Sequence, residues 1–241
     1  MNATELGGPP DGGREGRRPP DAGTVWLRDE PARPRRARPL TRERIVEAAV
    51  TLLDEKGTDG LTMRHLAQCL AVTSTALYWH VKTRDDVLDL AVDQIFGEVR
   101  LPDAGDDWRA DVRALTSGWR AAMLRHPWAP SLVGRPMLGP NVLARTEFLQ
   151  AGLARGGFTG ARLAVVTRLL ANYVIGAALT EATWHRTDDP DARAAARRHI
   201  ATDPAAYPTL VASGHLDDGR WNDDELFERG VDAILAIPPP G

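Results

Sequence analysis

The segment Ser74-Thr75-Ala76-Leu77-Tyr78-Trp79-His80-Val81-Lys82 carries the most informative chemistry in the sequence. On a helix, successive residues turn by about 100°, so Tyr78, Trp79 and His80 fan across a wide arc and cannot all face a core that Leu77 and Val81 already serve. At least one ring is expected outside, beside the hydroxyls of Ser74 and Thr75 and ahead of the cations Lys82 and Arg84. Hydroxyls and rings suit base edges and thymine methyls, and cations suit phosphates, which is the equipment of a helix that docks in the major groove. The bland rival is a small core helix that happens to be aromatic; the turn before it, the spacing and the flanking cations favour DNA.

The elements that must position this segment follow from apolar periodicity. Thr41 caps a first helix with Ile45, Ala48, Ala49, Leu52 and Leu53 on one face and Gly57 at its end. After the Asp59-Gly60 turn, Thr62 caps a short second helix with Met63, Leu66, Ala67 and Leu70 inward, and Cys69 is read as a packed core thiol. Ala71-Val72 makes the turn, Thr73 or Ser74 starts a third helix reaching about Val81, and Thr83 opens a fourth with Val87, Leu90, Ala91 and Ile95 on its stripe. Two short helices across a tight turn are a helix-turn-helix.

Beyond Pro102 the helices lengthen. Trp108, Val112, Leu115, Trp119, Ala122 and Met123 mark one that Pro127 stops, and another spans Asn141 to Arg155 before Gly156-Gly157. Leu163–Leu179 is apolar nearly all round; too short and too interrupted by Arg168 and Asn172 for a membrane span, it is expected to be buried in a bundle. Residues 187–221, broken by prolines, predict one short helix plus loops, and Asn222 with Glu225 starts a last helix near 222–237. The fold class is therefore all-α: an N-terminal helix-turn-helix domain (40–100), a larger helical domain (101–237) and a short tail (238–241).

At 241 residues and a formal net charge of −3, the chain is large enough for a substantial core, and its charge argues against indiscriminate coating of nucleic acid. Positive charge is local instead. Arg33, Arg35, Arg36 and Arg38 cluster within residues 1–39, a Gly-, Pro- and Asp-rich stretch with too little apolar surface to offset chain ordering. It reads as a disordered basic arm: either a solvated tail, or a minor-groove reader placing Arg36 and Arg38 beside the module, as homeodomain arms do. No run of ~18–20 apolar residues and no secretion signal are evident, and the single cysteine excludes an internal disulfide and a cysteine zinc site. These features predict a cytoplasmic chain with no membrane partner.

Catalytic readings fare poorly. The sequence has no Gly-rich phosphate loop, nucleophile elbow, His-Glu-x-x-His helix or metal-spaced Cys/His set. His185 with Asp188 and Asp189 has a metal-like spacing that a polar helix end produces by chance. No enzyme, cofactor or metal is expected.

Thr62-Met63-Arg64-His65-Leu66-Ala67 followed by Leu77-Tyr78-Trp79-His80-Val81-Lys82 resembles the two DNA-binding helices of the tetracycline-repressor family. The resemblance implies that Arg64 reaches a base edge, that Thr75, Ala76 and His80 lie at base-contact positions, and that Thr62, Tyr78, Trp79, Lys82 and Arg84 hold the DNA backbone. Ser74, Thr75 and Ala76 replace side chains with which tetracycline repressors read their operator, which implies a different DNA sequence. Gly97-Glu98-Val99-Arg100 lacks the drug-binding histidine, and Leu115 stands where a polar drug contact is expected, so the resemblance implies an effector other than tetracycline.

The resemblance further implies a homodimer built from the helices at 160–186 and 222–237, with Gly230 permitting close approach of subunits, and a palindromic double-stranded operator with half-sites about 34–36 Å apart. It also implies a cavity for a small hydrophobic effector, with Leu115, Trp119, Met123, Trp128, Met137, Phe148, Asn172, Tyr173 and Trp184 as candidate lining, although such residues are more often core. Release by the effector would control export, resistance or biosynthesis genes. Two other classes stay open from the sequence: a DNA-binding protein that needs no ligand, and an enzyme or carrier whose N-terminal helices merely pack.

Overall fold

The computed structural model describes residues 39–101, 103, 105–133, 137–186 and 191–238, and their regular structure is helical. The cluster Arg33–Arg38, including Arg36 and Arg38, lies outside the described residues, as do Asp188 and Asp189. Helix α1 (Arg42–Gly60) begins where the Thr41 side chain accepts from the Arg44 N–H at 3.3 Å, and it kinks at Gly57, where the sequence predicts its end. Helices α2 (Met63–Cys69) and α3 (Ser74–Tyr78) are capped in the same way by Thr62 and Thr73. In α4 (Arg84–Gly97) Thr83 and Asp86 form a reciprocal capping box.

Ile45, Leu53, Leu61, Leu66, Leu77 and Val87 pin these helices into one core, each 0–1% exposed. Full burial of such a side chain stabilises by about 1.5–3 kcal/mol. Cys69 corrects the sequence reading: it is exposed, because it falls off the α2 stripe of Leu66 and Ala67 that enters the core. Helix α3 is also shorter than expected, ending at Tyr78, with Val81 still reaching the core at 2% exposure.

Beyond it come α5 (Trp108–Arg125), α6 (Pro140–Arg155), α7 (Gly160–Arg186), α8 (Ala192–Ala201), α9 (Pro208–Ser213) and α10 (Asp223–Leu235). The same apolar core continues through them, with α5 between α6 and α7, and α10 along α7. Arg120 of α5 ties the layers together: it pairs both oxygens of the buried Glu181 on α7, at 2.8 and 2.6 Å, and reaches Asp224 of α10 at 2.7 Å. Residues 191–221 hold two helices where the sequence predicts one, and neither α8 nor α9 buries a residue.

Two further readings are corrected. Helix α7 is not buried within the chain: Val166, Leu170, Val174 and Ala178 enter the core, while Val165, Leu169 and Leu179 stay exposed. By length and composition Gly160–His185 is also long and apolar enough to cross a membrane, so the sequence argument from shortness fails. Gly230 serves packing inside the chain. A Cβ there would lie 2.0 Å from the Tyr173 hydroxyl, which donates to the Leu226 carbonyl at 2.9 Å and lets α10 close on α7.

Candidate nucleic-acid interface and effector site

The recognition segment is held from behind. Ala71 takes φ 54° in the turn and Val72 N–H returns to the Ala67 carbonyl at 3.0 Å, which fixes α3 against α2. With Leu77 fully buried, the next residues are turned outward: Tyr78 is 45% and Trp79 82% exposed, with His80 half-buried. Thr62, Arg64, Thr75 and Lys82 are exposed, and Ser74 and Ala76 half-buried. A large indole so exposed gains little from the core.

Arg42 and Lys82 are held at this face, with Glu43 of α1 close to Arg42 and His80. Arg42 donates to the His80 carbonyl at 3.4 Å, and Lys82 Nζ to the Tyr78 carbonyl at 3.2 Å. The nearby Asp86 is spent on the chain itself, accepting from the Lys82 N–H at 2.8 Å and the Thr83 N–H at 3.1 Å. The Lys82 backbone N–H, then the Thr83 side chain, hold its carboxyl below the usual aspartate value. Arg84 is turned inward, its Nε donating to the Leu61 carbonyl at 2.8 Å and its Nη2 to the Thr58 carbonyl. It thereby fastens the start of α4 to the α1–α2 corner.

Helix α4 meets α5 and α6 through the core, where Phe96 packs edge-on against Trp119, and through polar contacts. Asp93 accepts from the Val142 N–H and from Asn141 Nδ2, each at 3.0 Å, so it caps α6, whose own cap residue, Gly139, has no side chain. A Cβ at Gly139 would sit 2.2 Å from the Asp93 carboxylate. Arg145 of α6 returns the favour at the end of α4, donating to the carbonyls of Gly97 and Val99. At the end of α5, the buried His126 contacts Asp54 of α1 at 2.7 Å and Glu98 at 3.2 Å.

A cavity of about 700 Å³ lies between α6 and α7, walled by Val133, Met137, Gln150, Arg168, Asn172 and Ile175 among others. Of the nine candidate lining residues it unites Met137 and Asn172. Leu115, Trp119, Met123 and Trp128 are buried in the core away from it; Trp128 donates to Asp54 at 2.7 Å, and Phe148 packs half-buried against the core. Tyr173 is stacked on Phe227, their ring centres 5.6 Å apart. Trp184 lines a separate 350 Å³ cavity with Arg193 and Trp221. Sequence reasoning missed Gln150 and treated Arg168 only as an interruption; the available signal was a lone cation in an apolar helix.

These helices, with an outward recognition segment packed on a helical body that bears an open cavity, have the layout of a helix-turn-helix transcriptional regulator. Residues 45–91 match the model of bacterial regulatory proteins of the tetR family, and residues 101–236 that of the tetracyclin repressor-like C-terminal domain. An HTH-type transcriptional regulator of Saccharopolyspora erythraea is 44% identical over 217 residues, 89% of this chain and 90% of that protein. The HTH-type transcriptional repressor DrrR1 of Streptomyces coeruleorubidus is 35% identical over 145 residues, 59% of this chain and 54% of that protein. In structure the chain is similar to the TetR family protein ActR of Streptomyces coelicolor in complex with actinorhodin, with a TM-score of 0.74, 30% identity, and coverage of 83% of this chain and 96% of that one. The chain belongs to the tetracycline-repressor family of transcriptional regulators, with a DNA-binding helix-turn-helix and a C-terminal ligand-binding domain.

Proposed function

We propose that the chain is a cytoplasmic, non-enzymatic repressor that binds a palindromic operator as a homodimer and is released by a small hydrophobic molecule other than tetracycline. Exposure of Trp79, at 82% beside a fully buried Leu77, carries the operator reading: the core fixes the helix and leaves its aromatic face free. Arg64, Thr75, Ala76 and His80 read bases, Ser74 flanks them, and Thr62, Tyr78, Trp79 and Lys82 contact the backbone. Arg36 and Arg38 extend the contact into a neighbouring minor groove.

The exposed apolar face of α7, with α10 beside it, supports a four-helix interface between subunits, which sets the separation of the two recognition helices. The 700 Å³ cavity supports the effector reading, being within the size range of small-molecule sites. Because α4 is held by α6 at both ends of their contact, an effector that shifts α6 also shifts the DNA-binding helices. Coupling of this kind is typically ~1–3 kcal/mol. Regulated genes for export, resistance or biosynthesis fit such an effector.

Selection of bound sequences from a random DNA pool tests the reading. A palindrome with half-sites about one helical turn apart is expected, with flanking A·T preference lost when the residues before Pro39 are removed. A folded protein that enriches no sequence overturns it.

A further inference from the structure

The cavity between α6 and α7 has an unusual charge for a chain whose net charge is −3. Among its described lining residues none is acidic, and Arg168 is the one ionisable group. Arg168 is exposed and makes no hydrogen bond or ion pair among the described residues. Asn172 lies one helical turn further along α7, and Gln150 reaches the same cavity from α6. Val133, Met137 and Ile175 supply the apolar part of the wall.

Resting on the effector reading above, we propose that this cavity takes an amphipathic carboxylic acid. The planar guanidinium of Arg168 pairs with the carboxylate, the Asn172 and Gln150 amides donate beside it, and the hydrophobic body lies along Val133, Met137 and Ile175. An uncharged molecule of the same shape fills the same space but leaves the cation unanswered.

Pyrenebutyrate and its primary amide share size and shape and differ in the charged carboxylate, which the amide replaces with a neutral head, and pyrene fluorescence reports their binding to the full chain. The acid is expected to bind about tenfold more tightly than the amide, the preference to vanish in Arg168→Gln and to survive in part in Arg168→Lys, and to weaken in Asn172→Leu. The ratio of the two affinities is the readout, so a general loosening of the fold does not mimic the result. Equal binding of acid and amide, a preference that persists in Arg168→Gln, or no binding of either at millimolar concentration overturns the proposal. In the last case, operator release by a neutral hydrophobe leaves the effector reading standing. An acid preference through Arg168 without any effect on operator binding supports the carboxylate site and removes the effector reading instead.

Discussion

Arg145 and Asp93 cap one another's helices. The Asp93 carboxylate on α4 accepts the Val142 N–H in the first turn of α6, and the Arg145 guanidinium on α6 donates to the Val99 carbonyl just past the end of α4, each at 3.0 Å. Both side chains are buried, at 8% and 6% exposure, so neither pair is replaced by water at low cost. Burial lowers the Arg145 pKa from the usual arginine value and the Asp93 charge opposes this, which keeps the cation in place.

Replacing Arg145 with Met leaves the Gly97 and Val99 carbonyls without their donor. A loss of about 2–4 kcal/mol in unfolding free energy is expected in denaturant titration. In surviving protein, effector binding should persist while its effect on operator affinity shrinks. An unchanged ratio of operator affinities with and without effector would remove Arg145 from the coupling route.

Trp79→Ala and Leu77→Ala separate recognition from folding on residues two positions apart. The first removes an 82% exposed ring and should change stability by no more than about 0.5 kcal/mol while weakening operator binding. The second empties a fully buried site and should cost about 2–5 kcal/mol. Thermal unfolding and operator titration on both variants check the contrast; equal operator affinity in Trp79→Ala and wild type would exclude the indole from the interface.

Asp86 gives a pH dependence with a definite sign. Its folded pKa lies below the ordinary aspartate value because the Lys82 N–H, first, and the Thr83 side chain hydrogen-bond the ionised form. A depressed pKa contributes stability above the unfolded value near 3.8, lost as pH falls through the folded value. Asp86→Asn should therefore be less stable than wild type at neutral pH and converge with it in acid. A gap that persists undiminished at the acid end of a pH series of melts would contradict the assignment.

Helix caps at Thr41, Thr62, Thr83 and Asn222 were legible in the sequence because each acts on an N–H only three residues away. The outward Trp79 was legible for a similar reason, since helical rotation alone fixes its direction relative to Leu77. What escaped depends on partners far along the chain. Gly230 reads as a helix-contact glycine, but only packing reveals that its contact is Tyr173, 57 residues earlier. The cavity between α6 and α7 escaped more fully. Core and cavity draw on the same apolar residue types, so Trp119 and Trp128 were indistinguishable from lining residues, while Arg168 was legible only as an anomaly.

Gly230→Ala tests that packing directly. The new methyl would overlap the Tyr173 hydroxyl and its ring, forcing α10 from α7 at a cost of about 1–3 kcal/mol. A double-mutant cycle with Tyr173→Ala should show a smaller penalty for the alanine once the ring is gone. Strict additivity would place the strain elsewhere.

Helix α7 poses the sharpest question of partner. Only 22% of its most apolar eighteen-residue window is buried, and Val165, Leu169 and Leu179 remain at 52%, 41% and 39% exposure. Such a face needs cover from lipid or protein. Arg162 and Arg168 on the same helix, and the Arg120–Glu181 pair that anchors it to α5, disfavour lipid, since charges at bilayer depth are costly. A second copy fits, because α10 runs alongside and enlarges the surface with Leu226 at 44% exposure. Leu169→Glu should therefore yield a monomer in sedimentation velocity, with helical content retained and operator affinity strongly reduced, because two recognition helices no longer share one rigid spacing. A variant that sediments as a dimer would show that the interface lies elsewhere on the helix.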